Sequence, residues 1–328
     1  MTVVNKINFK DALEIFQSPF MDLIAQAHDI HIKHFLSNTI QTSTLLSVKT
    51  GACTEDCAYC AQSARYQTGV SSHNLLDANT ILQYARTAKE NGSQRFCMGA
   101  SGKKPSDKEL DIICSVIEDV KKIGLETCAT LGSLTQQQAE KLKRSGLDFY
   151  NHNIDTSPEF YPKIISTRTF QDRLNTIQNA RDAGLKICVG GILGMGESNE
   201  DRINMLVLLA NLPIPPESIP INRLVKIPGT PLSLDNNNLD SKISDVDCFD
   251  FVRIIATARI LMPKSYIRLS AGRNAMSDSL QALCFFAGAN SVFYGDKLLT
   301  TNNNETDKDD MLFSKLNLKK ETFIEAKI

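Results

Sequence analysis

The sequence predicts a closed (β/α)8 barrel of TIM type, preceded by an N-terminal helical extension, within its 328 residues. Three observations lead there. Short β-rich runs recur, each followed by a turn signal and an amphipathic stretch. Their centres lie roughly 25 to 50 residues apart, as strands joined through crossover helices require. Eight such units in series suit a closed barrel better than an open sheet, with a doubly wound open sheet as the alternative.

The runs are TLLSVKT (44–50), RFCMGAS (95–101), ETCATLG (126–132), FYNHNIDT (149–156), KICVGGI (186–192), SIPINRLVKI (218–227), SYIRLSAG (265–272) and SVFYG (291–295). Between them, DANTILQYARTAKENG and FQDRLNTIQNARDAG carry helical periodicity and end in Gly, a common helix stop. Ahead of the first strand, SPFMDLIAQAHDIHIKHF reads as a helix opened by Ser18–Pro19 that plugs or flanks the barrel. LPIPPESIP (212–220) is a stiff loop, and SLDNNNLDSKISDVD (233–247) and TNNNETDKDD (301–310) read as solvent loops. No domain-scale linker interrupts the chain. The expected organisation is a helical extension over 1–43, the barrel over 44–300 and a tail over 301–328 packed on it.

Composition narrows the function. Hydrophobic residues make up 42%, enough for a large core, and 36 basic residues face 37 acidic ones for a net charge of −1. Nothing in that balance favours nucleic acid. No stretch approaches the roughly 20 apolar residues of a membrane span. MTVVNKINFKDALEIF has no apolar signal core and carries acidic residues, so a cytoplasmic protein is expected. Nine cysteines in a reducing compartment are not disulfide staples. Cys114, Cys248 and Cys284 read as small buried hydrophobes; the other six need a separate account.

Three of these, Cys53, Cys57 and Cys60, stand in GACTEDCAYC as C-x3-C-x2-C, directly after the first strand and so at the barrel face that carries chemistry. A zinc site needs a fourth close ligand, and His73 is the nearest downstream candidate. His28, His31 and His34 share a helix but read as solvated. An iron–sulfur cluster with one open iron suits three thiolates better.

Cys97, Cys128 and Cys188 fall on the second, third and fifth strands. Alternation puts Cys128 with Glu126 and Thr130, Cys188 with Lys186 and Gly190, and Arg268 with Ser270 and Gly272, each on the less apolar face, which in a helix-covered barrel is the interior. Together they form a candidate second metal site, though a lone buried cysteine is the ordinary reading of any one. On the fourth strand Asn151, Asn153 and Asp155 share a face, against Tyr150, His152 and Ile154. Three inward polar side chains need partners, and a polar ligand supplies them: amide groups suit a urea or amide, a carboxylate suits a ribose diol.

The three-cysteine motif, with Tyr59 before its last cysteine, resembles the signature of the radical S-adenosylmethionine superfamily, in which the methionine amine and carboxylate of S-adenosylmethionine fill the open iron position. GGILGMGE (190–197), containing Ile192, is similar to the superfamily's adenine-contacting segment, although a plain glycine-rich turn has the same look; no G-x-G-x-x-G register fits. CMGAS (97–101), with Ala100, is a candidate for presenting backbone groups to the methionine amine.

YNHNIDTSPEFY, RFCMGAS, TLLSVKTGAC, IRLSAGR and FFAGANSVFYGDKLLTT further resemble segments of the biotin synthase family, from Thr44 to near residue 310. That resemblance implies a 4Fe–4S cluster on Cys53, Cys57 and Cys60, and a 2Fe–2S cluster on Cys97, Cys128, Cys188 and Arg268. It implies contacts to S-adenosylmethionine from Tyr59, Ala100, Asn153, Asp155 (ribose), Arg173 (carboxylate) and Ile192. Asn151, Asn153 and Asn222 would hold the ureido ring of dethiobiotin. The implied activity is radical insertion of sulfur into dethiobiotin, the sulfur coming from the 2Fe–2S cluster, with an electron donor such as flavodoxin or ferredoxin and a homodimeric assembly. An arginine essentially never deprotonates, so from chemistry alone Arg268 reads as a counter-charge. The segment 233–247 looks longer than the family pattern. Two rival readings stay open: another radical enzyme of the same branch, which would not need Cys97, Cys128, Cys188 and Arg268 together, and a non-catalytic iron–sulfur scaffold, which would not need the Asn151–Asn153–Asp155 stripe.

Overall fold

The computed structural model describes residues 6–233 and 246–322. Most of the Asn-rich segment expected at 233–247, the outermost N-terminal residues and the end of the expected tail therefore lie outside the described residues. Helices α1 (Phe9–Gln17) and α2 (Phe20–His34) lead into β1 (Thr39–Lys49), α3 (Ala78–Glu90), β2 (Arg95–Ala100), α4 (Asp107–Ile123), β3 (Glu126–Thr130), α5 (Gln136–Arg144) and β4 (Phe149–Asn151). Then follow α6 (Phe170–Asp182), β5 (Lys186–Cys188), β6 (Gly191–Leu193), α7 (Asn199–Ala210), β7 (Ser218–Arg223), α8 (Cys248–Leu261), β8 (Tyr266–Leu269), α9 (Asp278–Phe286), β9 (Ser291–Phe293), α10 (Thr306–Leu316) and β10 (Lys319–Lys320).

All strand pairings between these elements are parallel, and β9 returns to β1 through Gln41↔Ser291, Thr42↔Val292 and Ser43↔Phe293, which closes the barrel. β5 and β6 act as one interrupted strand: β5 pairs with β4 and β7, and β6 continues along β7. The interruption has a steric cause. A Cβ on Gly190 would sit 2.0 Å from the Pro220 carbonyl oxygen, and one on Gly191 would sit 2.6 Å from that of Asp155. Only glycine lets three backbones approach so closely.

The strands alternate as the fold demands. Phe96, Met98, Ala129, Tyr150, Ile187, Ile219, Ile267 and Val292 are buried in the main core with the helices. Cys97, Cys128, Phe149 and Cys188 form a separate buried cluster, on the opposite parity of the same strands. Helices α4, α5, α6 and α7 each open with a capping box, at Ser106–Glu109, Thr135–Gln138, Thr169–Asp172 and Ser198–Asp201.

β1 starts at Thr39, earlier than the expected Thr44, because residues 39–43 pair with β9, β10 and β2. α8 is apolar nearly all round, with Phe251, Val252, Ile254, Ile255 and Ala258 buried. It therefore needs cover on its outer side, and α1 and α2 supply it. Arg253 Nη1 fastens that layer, donating to the Phe16 and Ser18 carbonyls at 2.7 Å each. The extension thus flanks the barrel.

Residues 306–310, expected within a solvent loop, form the start of α10 with Asp309 fully buried, and two further expectations are corrected. His31 is buried, because it continues the α2 stripe of Leu23, Ile24 and Ala27; burial, aided by Arg259, pushes its pKa down to about 3. Cys248 is exposed, as the first residue of α8. At the other end of the chain β10 pairs with the start of β1. α10 is held by Asp309, which takes two bonds of 2.6 Å from Arg273 with both side chains fully buried. No helix among the described residues is long and apolar enough to cross a membrane.

Candidate active site

The cysteine loop leaves β1 through Gly51 and Ala52, both at positive φ, and turns back on itself: Cys60 N–H bonds the Cys57 carbonyl, and Cys53 pairs across to Gln62 and Ala64. Two carboxylates between the first cysteines anchor it. Asp56 accepts from Ser166 N–H at 3.0 Å, Thr167 N–H at 3.1 Å and Thr167 Oγ1 at 2.8 Å. Although burial opposes it, these bonds hold the Asp56 carboxyl well below its ordinary range. Glu55 takes Arg168 at 3.3 Å. Sequence reasoning passed over Glu55, Asp56 and Arg168; the only local signal was two acids inside C-x3-C.

Cys53, Cys57 and Cys60 all line one cavity of about 320 Å³ at the C-terminal end of the barrel. Tyr59, Ala100, Asn151, Asn153, Asp155, Arg173, Ile192 and Asn222 line it too. Tyr59 OH donates to Asp155 Oδ2 at 2.9 Å, and Arg173 Nη2 donates to the same oxygen at 2.7 Å. Burial raises the Asp155 pKa, with Arg173 and Tyr59 pulling against it. Burial by itself would lower the Arg173 pKa, but Asp155 more than offsets that, so the guanidinium stays charged. Its other nitrogens fix it to Tyr161 OH and the Asn153 carbonyl, each at 3.0 Å.

The amide stripe is similarly held. Asn151 donates to the Cys188 carbonyl at 3.0 Å and accepts from Thr130 Oγ1 at 3.0 Å. Asn153 Oδ1 accepts from Gly190 N–H at 3.2 Å. Asn222 bridges the Gly191 carbonyl and Ala271 N–H at 2.9 and 3.1 Å. Each amide keeps further hydrogen-bonding capacity beyond these bonds. The regular ladder ends at Asn151, and Asp155 has φ +69°. The stripe nevertheless stays on the cavity, because Asp155 rejoins the sheet through a bridge to Gly191.

Below this cavity lie Cys97, Cys128 and Cys188, each no more than 3% exposed. Register puts Leu45, Cys97, Cys128 and Phe149 side by side on four successive strands. Leu45 and Phe293 belong both to the cavity lining and to the thiol cluster, so they form the floor between the two. Arg268 is 1% exposed. Its Nε donates to Ser291 at 2.9 Å and its Nη2 to Ser43 at 3.0 Å and Gln41 at 3.2 Å, leaving Nη1 3.9 Å from Cys188 Sγ. A hydrogen bond from Cys128, together with the charges of Arg268 and Arg95, lowers the Cys97 pKa against burial, while that same bond and burial raise the Cys128 pKa. Ser43, which accepts from Arg268 Nη2 at 3.0 Å, was another residue sequence reasoning did not single out.

The donors suit the inorganic groups the motifs imply. Burial pushes Cys57 up to about 12 and Cys60 up to about 11, so thiolates form there only against a cation. Three thiols and a guanidinium replace the branched aliphatics that normally fill a barrel layer. Among the described residues no three His, Cys, Asp or Glu side chains are close enough to hold a single metal ion, and His73 is exposed and bonded to the Asn74 carbonyl. The zinc alternative therefore has no fourth ligand.

A barrel with three cysteines at its catalytic mouth is the architecture of the radical SAM class, and comparison bears this out. Residues 47–210 match the model of the Radical SAM superfamily, and residues 220–319 match the Biotin and Thiamin Synthesis associated domain. Methylornithine synthase (PylB) superposes with a TM-score of 0.78 at 19% identity, covering 98% of this chain and 96% of that one. The FeFe-hydrogenase maturase HydG from Carboxydothermus hydrogenoformans gives 0.77 at 19% identity, covering 94% and 75%. At that identity the likeness concerns the fold.

Sequence comparison is more specific. Biotin synthase of Azoarcus sp. (strain BH72) is 56% identical over 93% of this chain and 91% of its own length. That of Pseudomonas syringae pv. syringae (strain B728a) is 57% identical over 94% and 85%. The chain belongs to the biotin synthase family.

Proposed function

We propose that the chain inserts sulfur into dethiobiotin to give biotin, using S-adenosylmethionine as cosubstrate. One observation carries the reading: a single cavity has the Cys53–Cys57–Cys60 loop at its mouth, amide and carboxylate side chains on its walls, and a floor, Leu45 and Phe293, that packs directly on Cys97, Cys128 and Cys188. The target carbons are saturated and unactivated, and no side chain is basic enough to deprotonate them. When bound, a 4Fe–4S cluster on Cys53, Cys57 and Cys60 with S-adenosylmethionine would supply hydrogen abstraction, and a 2Fe–2S cluster on Cys97, Cys128, Cys188 and Arg268 would supply the sulfur.

The chain's own residues bind and orient. Arg173, held by Asp155, Tyr161 and the Asn153 carbonyl, offers a fixed positive charge to the carboxylate of S-adenosylmethionine. Asp155 presents its Oδ1 to the ribose hydroxyls, and Tyr59, Ala100 and Ile192 complete that half of the cavity. Asn151, Asn153 and Asn222 offer donors and acceptors to the ureido ring. The buried walls exclude water and competing hydrogen donors. An electron donor such as flavodoxin or ferredoxin and a homodimer in the cytoplasm belong to the same reading.

The test is anaerobic reconstitution with iron and sulfide, then incubation with dethiobiotin, S-adenosylmethionine and a reductant. Biotin and 5′-deoxyadenosine are expected together. Deoxyadenosine without biotin would favour a different substrate within the superfamily.

A further inference from the structure

The thiol cluster has a second neighbour. At the N-terminal end of the barrel lies a separate cavity of about 170 Å³. Its lining comes largely from strand starts: Arg95 of β2, Glu126 of β3, Phe149 of β4, Lys186 of β5 and Tyr266 of β8. Phe149 is also a member of the thiol cluster. Arg95 stacks on Phe149 with its guanidinium carbon 3.5 Å from the ring centre. Arg95 and Phe149 therefore stand between this cavity and the thiols, as Leu45 and Phe293 do on the opposite side.

The chemistry of the lower cavity favours an anion. Arg95 is 1% exposed, and its Nε and Nη2 bind Glu126 at 3.1 and 2.9 Å. Its buried Nη1 meets no hydrogen-bond partner among the described residues, and neither does Nε2 of the adjacent lining residue Gln94. Both orphans are N–H donors, and a buried donor without an acceptor is destabilising, so an acceptor is the ligand that fits. At the rim, the exposed Lys186 and Lys264 make no ion pair among the described residues. The three lining carboxylates are engaged: Glu126 with Arg95, Glu217 with Arg181 and the Ile187 N–H, and Glu321 with the Tyr266 hydroxyl, which donates to it at 2.7 Å.

We propose that this N-terminal cavity is a binding site for a small inorganic sulfur anion of the hydrosulfide class, held by Arg95 and Gln94, and the path by which that anion reaches Cys97, Cys128 and Cys188. The proposal deepens the proposed function, since it rests on these thiols holding a cluster that gives up sulfur. It separates supply from consumption: substrate and cosubstrate occupy the upper cavity, while replacement sulfur arrives from below.

The experiment uses the full-length, metal-free chain and reads labelling of each cysteine by peptide mass spectrometry. Two thiol reagents are compared, the neutral methyl methanethiosulfonate and the anionic 2-sulfonatoethyl methanethiosulfonate. Reversing the two exposed rim charges, Lys186→Glu with Lys264→Glu, is compatible with folding. It should lower the anionic-to-neutral rate ratio at Cys97 and Cys128 by about tenfold, as should Arg95→Met, the worth of one charge-assisted hydrogen bond. Narrowing the upper cavity with Asn222→Trp should leave the ratio unchanged. An unchanged ratio in the rim variant, or deep labelling lost in Asn222→Trp, would overturn the proposal. Whether the deep thiols hold a cluster is read separately, from the visible spectrum of a reconstituted Cys53→Ala, Cys57→Ala, Cys60→Ala chain, so failure of one idea is distinguishable from failure of the other.

Discussion

Arg173 and Asp155 meet at 2.7 Å on the wall of the upper cavity, and Tyr59 of the cysteine loop bonds the same carboxylate oxygen. The pair links the loop, the end of β4 and α6 through one oxygen atom. Asp155→Asn keeps the shape but removes the charge that holds Arg173 in place. Hydrogen bonds to charged groups are worth about 1.5–3 kcal/mol, so S-adenosylmethionine affinity should fall roughly ten- to a hundredfold. Equilibrium binding read beside the visible absorbance of the cysteine-loop cluster is the check: unchanged affinity, or a lost cluster, would contradict the assigned role.

Cys128 belongs to the buried thiol cluster, whereas Cys57 and Tyr59 of the upper loop pack in a different one. Cys128→Ala should leave the absorbance of the upper cluster intact, abolish that of the deeper one and stop biotin formation. Full biotin yield from this variant would end the assignment of sulfur donation to the deep site.

The Asp56 carboxyl, lowered from its ordinary value of 3.8 by Ser166 and Thr167, should make the loop acid-sensitive. A depressed native pKa means that the unfolded chain binds more protons, so this contribution is present above pH 3.8 and lost as pH falls through the native value. Asp56→Asn should therefore reduce hydrogen-exchange protection of residues 51–64 at neutral pH, and the difference from the parent chain should shrink in strong acid. A difference constant with pH would show that packing, not charge, holds the loop.

Arg273 and Asp309 form an ion pair whose side chains are both 0% exposed. Removing one partner leaves a buried charge uncompensated, which typically costs 3–5 kcal/mol. Asp309→Asn should lower the thermal midpoint by many degrees, while replacing both residues with apolar side chains should recover part of the loss. Equal midpoints for the parent and Asp309→Asn would mean that water reaches the pair.

Much of this was legible in the residues because it follows local periods. Each β-rich run corresponds to a barrel strand, since alternation and crossover length are properties of neighbouring residues. Alternation likewise brought Asn151 and Asn153 onto one face, and Cys97, Cys128 and Cys188 into one interior cluster. What escaped depends on distant partners or on steric detail. Asp56 and Thr167 lie 111 positions apart, so nothing local marks Asp56 as an anchor. The break between β5 and β6 comes from the approach of the Pro220 carbonyl to Gly190, which is a property of the assembled sheet. His31 could have been found, because it lies on the same helical stripe as Leu23 and Ala27; reading it with His28 and His34 hid that.

The anchors of Glu55 and Asp56 run to residues 166–168, the lead into α6, which carries Arg173. The loop bearing the three upper cysteines and the helix proposed to hold the cosubstrate are consequently geared together. A tug on α6 when a ligand settles against Arg173 would be transmitted to the cysteines with little slack, so an empty chain and a loaded one should differ in how readily the upper iron centre accepts an electron.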